Sequence, residues 1–139
     1  RNPQFYVHRE YARESGNLMT DVRLDPKDAR FDSMPVKLLS GQKDVPMLDA
    51  LATRDPGGSR FALFVVNRSL TTAVDAPIEM NLPAGVTGTV SVLNGPGPGA
   101  RNSAESPDVV ALTTTPFGGS GSFSYRFPPH SLTVFRFAR

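Results

Sequence analysis

The sequence predicts an all-β fold: two antiparallel sheets packed as a jelly-roll-like sandwich, preceded by a short N-terminal helix. Three observations predict it. Short apolar runs are separated by turn residues, with 12 Gly and 13 Pro in 139 residues, the punctuation of a sheet protein. Phe61-Ala62-Leu63-Phe64-Val65-Val66 is apolar at every position, as a central strand covered on both faces should be. The chain closes on Phe127-Pro128-Pro129-His130-Ser131-Leu132-Thr133-Val134-Phe135-Arg136-Phe137, a proline-locked turn feeding an apolar strand. No strand runs through the two prolines. Beyond them Leu132, Val134 and Arg136 face one way and Thr133, Phe135 and Phe137 the other.

Residues 3–14 suit a helix. Asn2 is placed to cap it, Pro3 fits its first turn and Gly16 its end. Its apolar residues do not gather cleanly on one face. Residues 18–24 read as a strand, with Leu18, Val22 and Leu24 apolar. Residues 25–44 are polar and turn-rich, a long loop. A strand over 45–53 follows, then the turn Asp55-Pro56-Gly57-Gly58. Strands are expected at 60–67 and at 72–82, the latter demoted to an edge or bulge by Pro77. Further strands fall at 86–93, 109–112, 123–127 and the terminus, about eight in all. Asn94-Gly95-Pro96-Gly97-Pro98-Gly99 and residues 117–122 are loops. Residues 1–17 form one unit, a helix and linker, and 18–139 the sandwich.

Composition excludes several functions. With no cysteine, disulfides and thiolate zinc sites are ruled out and the compartment stays undecided, cytoplasmic or secreted. The net charge is +2 and the Lys and Arg residues are scattered, which argues against nucleic acid as a partner. No run approaches the roughly 20 apolar residues of a membrane helix.

Five segments in order resemble the C-terminal domain of family 51 glycoside hydrolases, the α-L-arabinofuranosidases. They are Val45-Pro46-Met47-Leu48-Asp49-Ala50 with Ala52-Thr53; Leu63-Phe64-Val65-Val66-Asn67-Arg68-Ser69; Leu93-Asn94-Gly95-Pro96; Asn102-Ser103 with Ser106-Pro107-Asp108-Val109-Val110; and Pro128-Pro129-His130-Ser131-Leu132-Thr133-Val134. The match runs from about residue 45 to the end, and residues 3–24 resemble the last barrel helix and first return strand. The resemblance implies a catalytic (β/α) barrel as partner, retaining hydrolysis of terminal α-L-arabinofuranosyl linkages in hemicellulose, and two catalytic glutamates carried by that barrel. Glu10, Glu14, Glu79 and Glu105 are the only glutamates here, and none stands in the family's Asn-Glu context. No catalytic residue transfers to this chain, which is expected to be inactive alone.

The residues themselves offer little chemistry. Retaining hydrolysis needs two carboxyl groups about 5 Å apart; Asp25 with Asp28 and Asp44 with Asp49 are the nearest pairs in sequence, and all four suit local backbone bonding better. His8 and His130 have no third ligand at zinc-like spacing, so neither metal nor other cofactor is expected. His130 reads as a turn residue, and Ser131 lacks a nucleophile elbow. Gly119-Ser120-Gly121 lacks the lysine and strand-to-helix setting of a phosphate loop. Asn67-Arg68-Ser69 is formally a glycosylation sequon.

Two surfaces remain. Tyr125 is read as facing away from Phe123 and Phe127, an aromatic platform on which an arabinose-containing polysaccharide could stack. Phe5, Tyr6, Val7 and Tyr11 would form an apolar patch for the barrel, another partner or a second copy of the chain. Three functions therefore compete: an accessory domain of an arabinofuranosidase, a stand-alone carbohydrate-binding module, and an unrelated structural sandwich.

Overall fold

The structure is a computed structural model that describes residues 2–23, 25, 29–82, 87–118 and 121–138. Among the described residues one helix, α1 (Pro3–Glu14), precedes ten strands: β1 (Leu18–Thr20), β2 (Arg30–Phe31), β3 (Val45–Pro46), β4 (Leu48–Arg54), β5 (Arg60–Asn67), β6 (Val74–Glu79), β7 (Thr87–Asn94), β8 (Ala111–Phe117), β9 (Ser122–Phe127) and β10 (Ser131–Ala138). The main sheet has the order β1-β4-β5-β10-β7-β8, and every neighbouring pair is antiparallel. β6 and β9 form a second, two-stranded sheet, and β2 with β3 a small hairpin. The expected all-β sandwich is thus present, with one layer much wider than the other.

The terminal strand β10 lies between β5 and β7 at the middle of the main sheet. Its neighbours lock its register, Leu63 and Val90 flanking Phe135, and Phe64 and Ser91 flanking Val134. Period-2 alternation then sorts the side chains into two cores. On the sandwich face Phe135 and Phe137 join Leu63, Val65, Val90 and Phe127. Rings from both sheets meet there edge to face, with Phe117 and Phe123 centroids 4.7 Å apart and Phe127 and Phe135 6.3 Å apart, an arrangement that adds to the gain from burial alone. On the opposite face Phe64, Leu132 and Val134 are covered by α1.

Several elements depart from expectation. The segment 25–44 is no plain loop; it holds β2 and a bridge between Val36 and Leu39. The strand expected over 45–53 is broken by a bend at Met47 into β3 and β4. β8 starts later and runs longer than 109–112, because Asn102 binds both the N–H and the C=O of Val110 and so holds that residue outside the ladder. Pro77 does lie on an edge, since β6 pairs only with β9. Helix α1 ends on Ser15 rather than on a left-handed Gly16. Gly16 serves a different need: a Cβ there would come within 2.3 Å of the Arg54 carbonyl, so only glycine admits so close a backbone approach. Leu24, Asp28, Val86, Gly119 and Ser120 lie outside the described residues. Among those described, no helix is long and apolar enough to cross a membrane.

Candidate functional site

Strand parity decides the fate of Tyr125. Residues 123, 125 and 127 are two apart, so a regular strand points all three to one side. β9 is regular, and Tyr125 shares the inner face with Phe123 and Phe127. Its ring lies 4.9 Å from Phe135 and 5.1 Å from Phe127, edge to face with both. Burial raises its phenol pKa. The expectation that it faces away from its neighbours is therefore corrected: Tyr125 is a half-buried wall of the sandwich core.

The apolar patch expected at the N-terminus is also redrawn. Tyr6, Val7 and Tyr11 pack on the main sheet, and Tyr11 stacks on Phe64 with centroids 4.5 Å apart and planes 10° apart. Burial, with the Asp49 charge as the lesser cause, raises the Tyr11 pKa. Of the four residues only Phe5 is largely exposed, at 44%. Arg9 lies over the rings of both Phe5 and Tyr6, 5.8 and 5.1 Å from their centroids. The domain's own sheet supplies most of the cover that a separate partner was expected to give.

Beneath α1 lies the most buried charge of the described residues. Glu10 is only 2% exposed. It accepts hydrogen bonds from Arg136 on β10 and from Arg9. Arg136 Nε also lies 3.1 Å from Glu14 Oε2, an ionic contact without hydrogen-bond geometry, and Nη1 reaches Thr89 Oγ1 at 3.5 Å. Two carboxylates and two guanidiniums thus compensate one another where the helix meets the sheet, as buried charges require. The cluster fastens α1.

Of the other sequence candidates, His130, Ser131 and Asn67 serve the backbone, whereas the Asp44 and Asp49 carboxylates, expected to bond backbone, face guanidiniums instead. Asp44 pairs with Arg30 at 3.2 Å, while Asp49 lies 4.0 Å from Arg68, so each has its own cation. Asp25 is exposed, and its partner in sequence, Asp28, lies outside the described residues. His130 adopts a left-handed φ of 44°. Its N–H donates to Ser69 O at 2.8 Å, and its ring nitrogens lie 3.0 Å from Leu70 O and 3.2 Å from Gly95 O. Ser131 Oγ donates to Pro128 O. Asn67 is 1% exposed; its amide donates to Thr72 O and Phe127 O and accepts from Ser69 N–H, so the sequon carries a structural asparagine. Among the described residues no three His, Asp or Glu gather closely enough to hold a metal ion.

Two features escaped the sequence reading. One is a cleft of about 660 Å³ beside β6, where the narrow sheet stops short of β4. Its floor is apolar, with Ala50, Ala52, Leu63 and Ile78, and its rim carries Asp21, Arg23, Asp25 and Glu79. The other is the tip of the β2–β3 hairpin, which exposes Met34, Val36, Leu38 and Leu39. Neither shows in sequence, since β6 had to be placed before its gap to β4 existed.

No protein-family profile and no curated protein matches the sequence. Solved structures do match. The GH51 α-L-arabinofuranosidase of Thermotoga petrophila RKU-1 aligns at 25% identity and a TM-score of 0.77, over 90% of this chain. The α-L-arabinofuranosidase of Thermotoga maritima, solved with arabinose, aligns at 26% identity and 0.76, over 91%. A family 51 α-L-arabinofuranosidase from Bifidobacterium longum covers the whole chain at 22% identity and a TM-score of 0.78, a likeness of fold. The chain spans only about a quarter of each, 26%, 27% and 25% respectively. It has the architecture of one domain of these larger enzymes.

Proposed function

We propose that this chain is a non-catalytic accessory domain of an α-L-arabinofuranosidase, packing against a catalytic (β/α) barrel that hydrolyses terminal α-L-arabinofuranosyl linkages of hemicellulose with retention. The supporting observation is the match of nine-tenths of this chain to a quarter of a family 51 enzyme at a TM-score of 0.77. The division near residue 17 gains a physical sense from α1. The helix is fastened to the main sheet by Glu10 and Arg136 while Phe5 points outward, so it stands as the joint between sandwich and barrel. The outer side of α1 is the surface offered to the barrel.

A free carbohydrate-binding module would need an exposed aromatic platform, and the inward setting of Tyr125 weighs against one. Calorimetric titration of the purified chain with arabinoxylan oligosaccharides separates the two readings. The accessory-domain reading expects no binding heat at millimolar sugar, whereas a saturable isotherm abolished by Tyr125→Ala would replace it with the binding module.

A further inference from the structure

The sequence has asparagines at 2, 17, 67, 81, 94 and 102, and Asn94 alone is followed by glycine. The Cγ of an asparagine is open to attack by the backbone nitrogen of the next residue, and a glycine there puts no Cβ in the path. The other asparagines are guarded. Asn2 precedes Pro3, whose nitrogen has no proton to give up. Leu18 and Leu82 crowd the nitrogens that follow Asn17 and Asn81. The Asn67 side chain is held by Thr72 O, Phe127 O and Ser69 N–H, and that of Asn102 by both the N–H and the C=O of Val110.

Asn94 is set the other way. It is the last residue of β7, half-buried, and Gly95 opens the Gly-Pro-Gly-Pro-Gly loop. Gly95 N–H donates to Asn94 Oδ1 at 2.7 Å and, among the described residues, to nothing else. That contact holds the nitrogen beside Cγ and polarises the Cγ=O bond. Asn94 Nδ2, the leaving group, has no hydrogen-bond partner among the described residues. We propose that Asn94 is a site of spontaneous deamidation in the folded chain. Gly95 N loses its proton to solvent hydroxide and attacks Cγ. The Cγ–Nδ2 bond breaks, ammonia leaves with a proton from water, and a succinimide closes. Water then opens the ring at either carbonyl, giving aspartate or isoaspartate. The net reaction takes up one water and releases one ammonia. Isoaspartate adds a main-chain methylene where there is no space for it: a Cβ on Gly95 would lie 2.9 Å from Val110 Cγ2 and 3.2 Å from the Ala100 Cβ. Gly95 O also faces His130 Nε2 at 3.2 Å. The product therefore loosens the loop end that His130 and Asn102 tie together, and the site acts as a clock on the life of the domain.

Peptide mapping of the purified chain, aged in mildly alkaline buffer, tests this. Trypsin releases residues 69–101 as one peptide, which carries Asn81 as an internal control beside Asn94. Fragment masses should place the conversion at Asn94 rather than Asn81. It should run at least about tenfold faster than at Asn67 or Asn102, whose hydrogen bonds must open first. The aged chain should melt below the fresh one, whereas Asn94→Gln should melt alike fresh and aged. Conversion no faster at Asn94 than at Asn81, conversion only after unfolding in urea, or a converted chain that melts with the fresh one would each overturn the proposal.

Discussion

At the scale of single residues, the most telling is Thr133. It is wholly buried at the centre of β10, and its hydroxyl has no hydrogen-bond partner. An orphaned buried hydroxyl costs free energy, so the near-isosteric Thr133→Val should stabilise the fold by about 1 kcal/mol, read from urea denaturation. Asp55 shows the opposite economy. Its carboxylate accepts from Ser59 Oγ at 2.6 Å and from the N–H groups of Ser59 and Arg60 at 2.8 and 3.1 Å, while Gly58 takes the left-handed position that closes the turn. The Ser59 hydroxyl bond first, then the Arg60 amide, hold its pKa below the ordinary carboxylate range. A depressed carboxylate pKa contributes stability that is present above the unfolded-state value and lost as pH falls through the folded one. Asp55→Asn should therefore destabilise most at neutral pH, and its melting temperature should converge on that of the parent chain in acid.

At the scale of elements, α1 shows why some features were legible and others not. Its boundaries followed from Asn2, whose side chain accepts the Gln4 N–H at 3.0 Å, and from Pro3. Its buried face did not. Residues 3, 6, 7, 10, 11 and 14 have the spacing of one helical face, but two of them are Glu10 and Glu14, and a search for apolar periodicity passes over carboxylates. Arg136, 122 residues beyond Glu14 in the chain, is what makes that face buriable, and such a pairing has no local signature. The strands behaved likewise. β5 was read to the residue because its apolar run reflects burial on both sides, whereas β8 depends on Asn102 reaching Val110. Tyr125 was misplaced although its parity was plain in the sequence. Arg136→Leu should strand Glu10 with Arg9 alone, costing about 3 kcal/mol as broken buried pairs do, and amide exchange should quicken in α1 before the main sheet opens.

At the scale of the whole molecule, the parts compose a scaffold. A six-stranded sheet carries its terminal strand at the centre, a helix locked to one face and a narrow sheet stacked on the other. Its polar clusters fasten elements together: Asn67 and His130 tie the loops at one end, and Glu10, Glu14 and Arg136 tie the helix. The reading of the chain as a domain whose chemistry resides in another part of an arabinofuranosidase is most directly tested by turnover. The purified, folded chain should release no nitrophenol from an aryl α-L-arabinofuranoside above the enzyme-free blank. Release that scales with chain concentration and disappears on Glu79→Gln would contradict it.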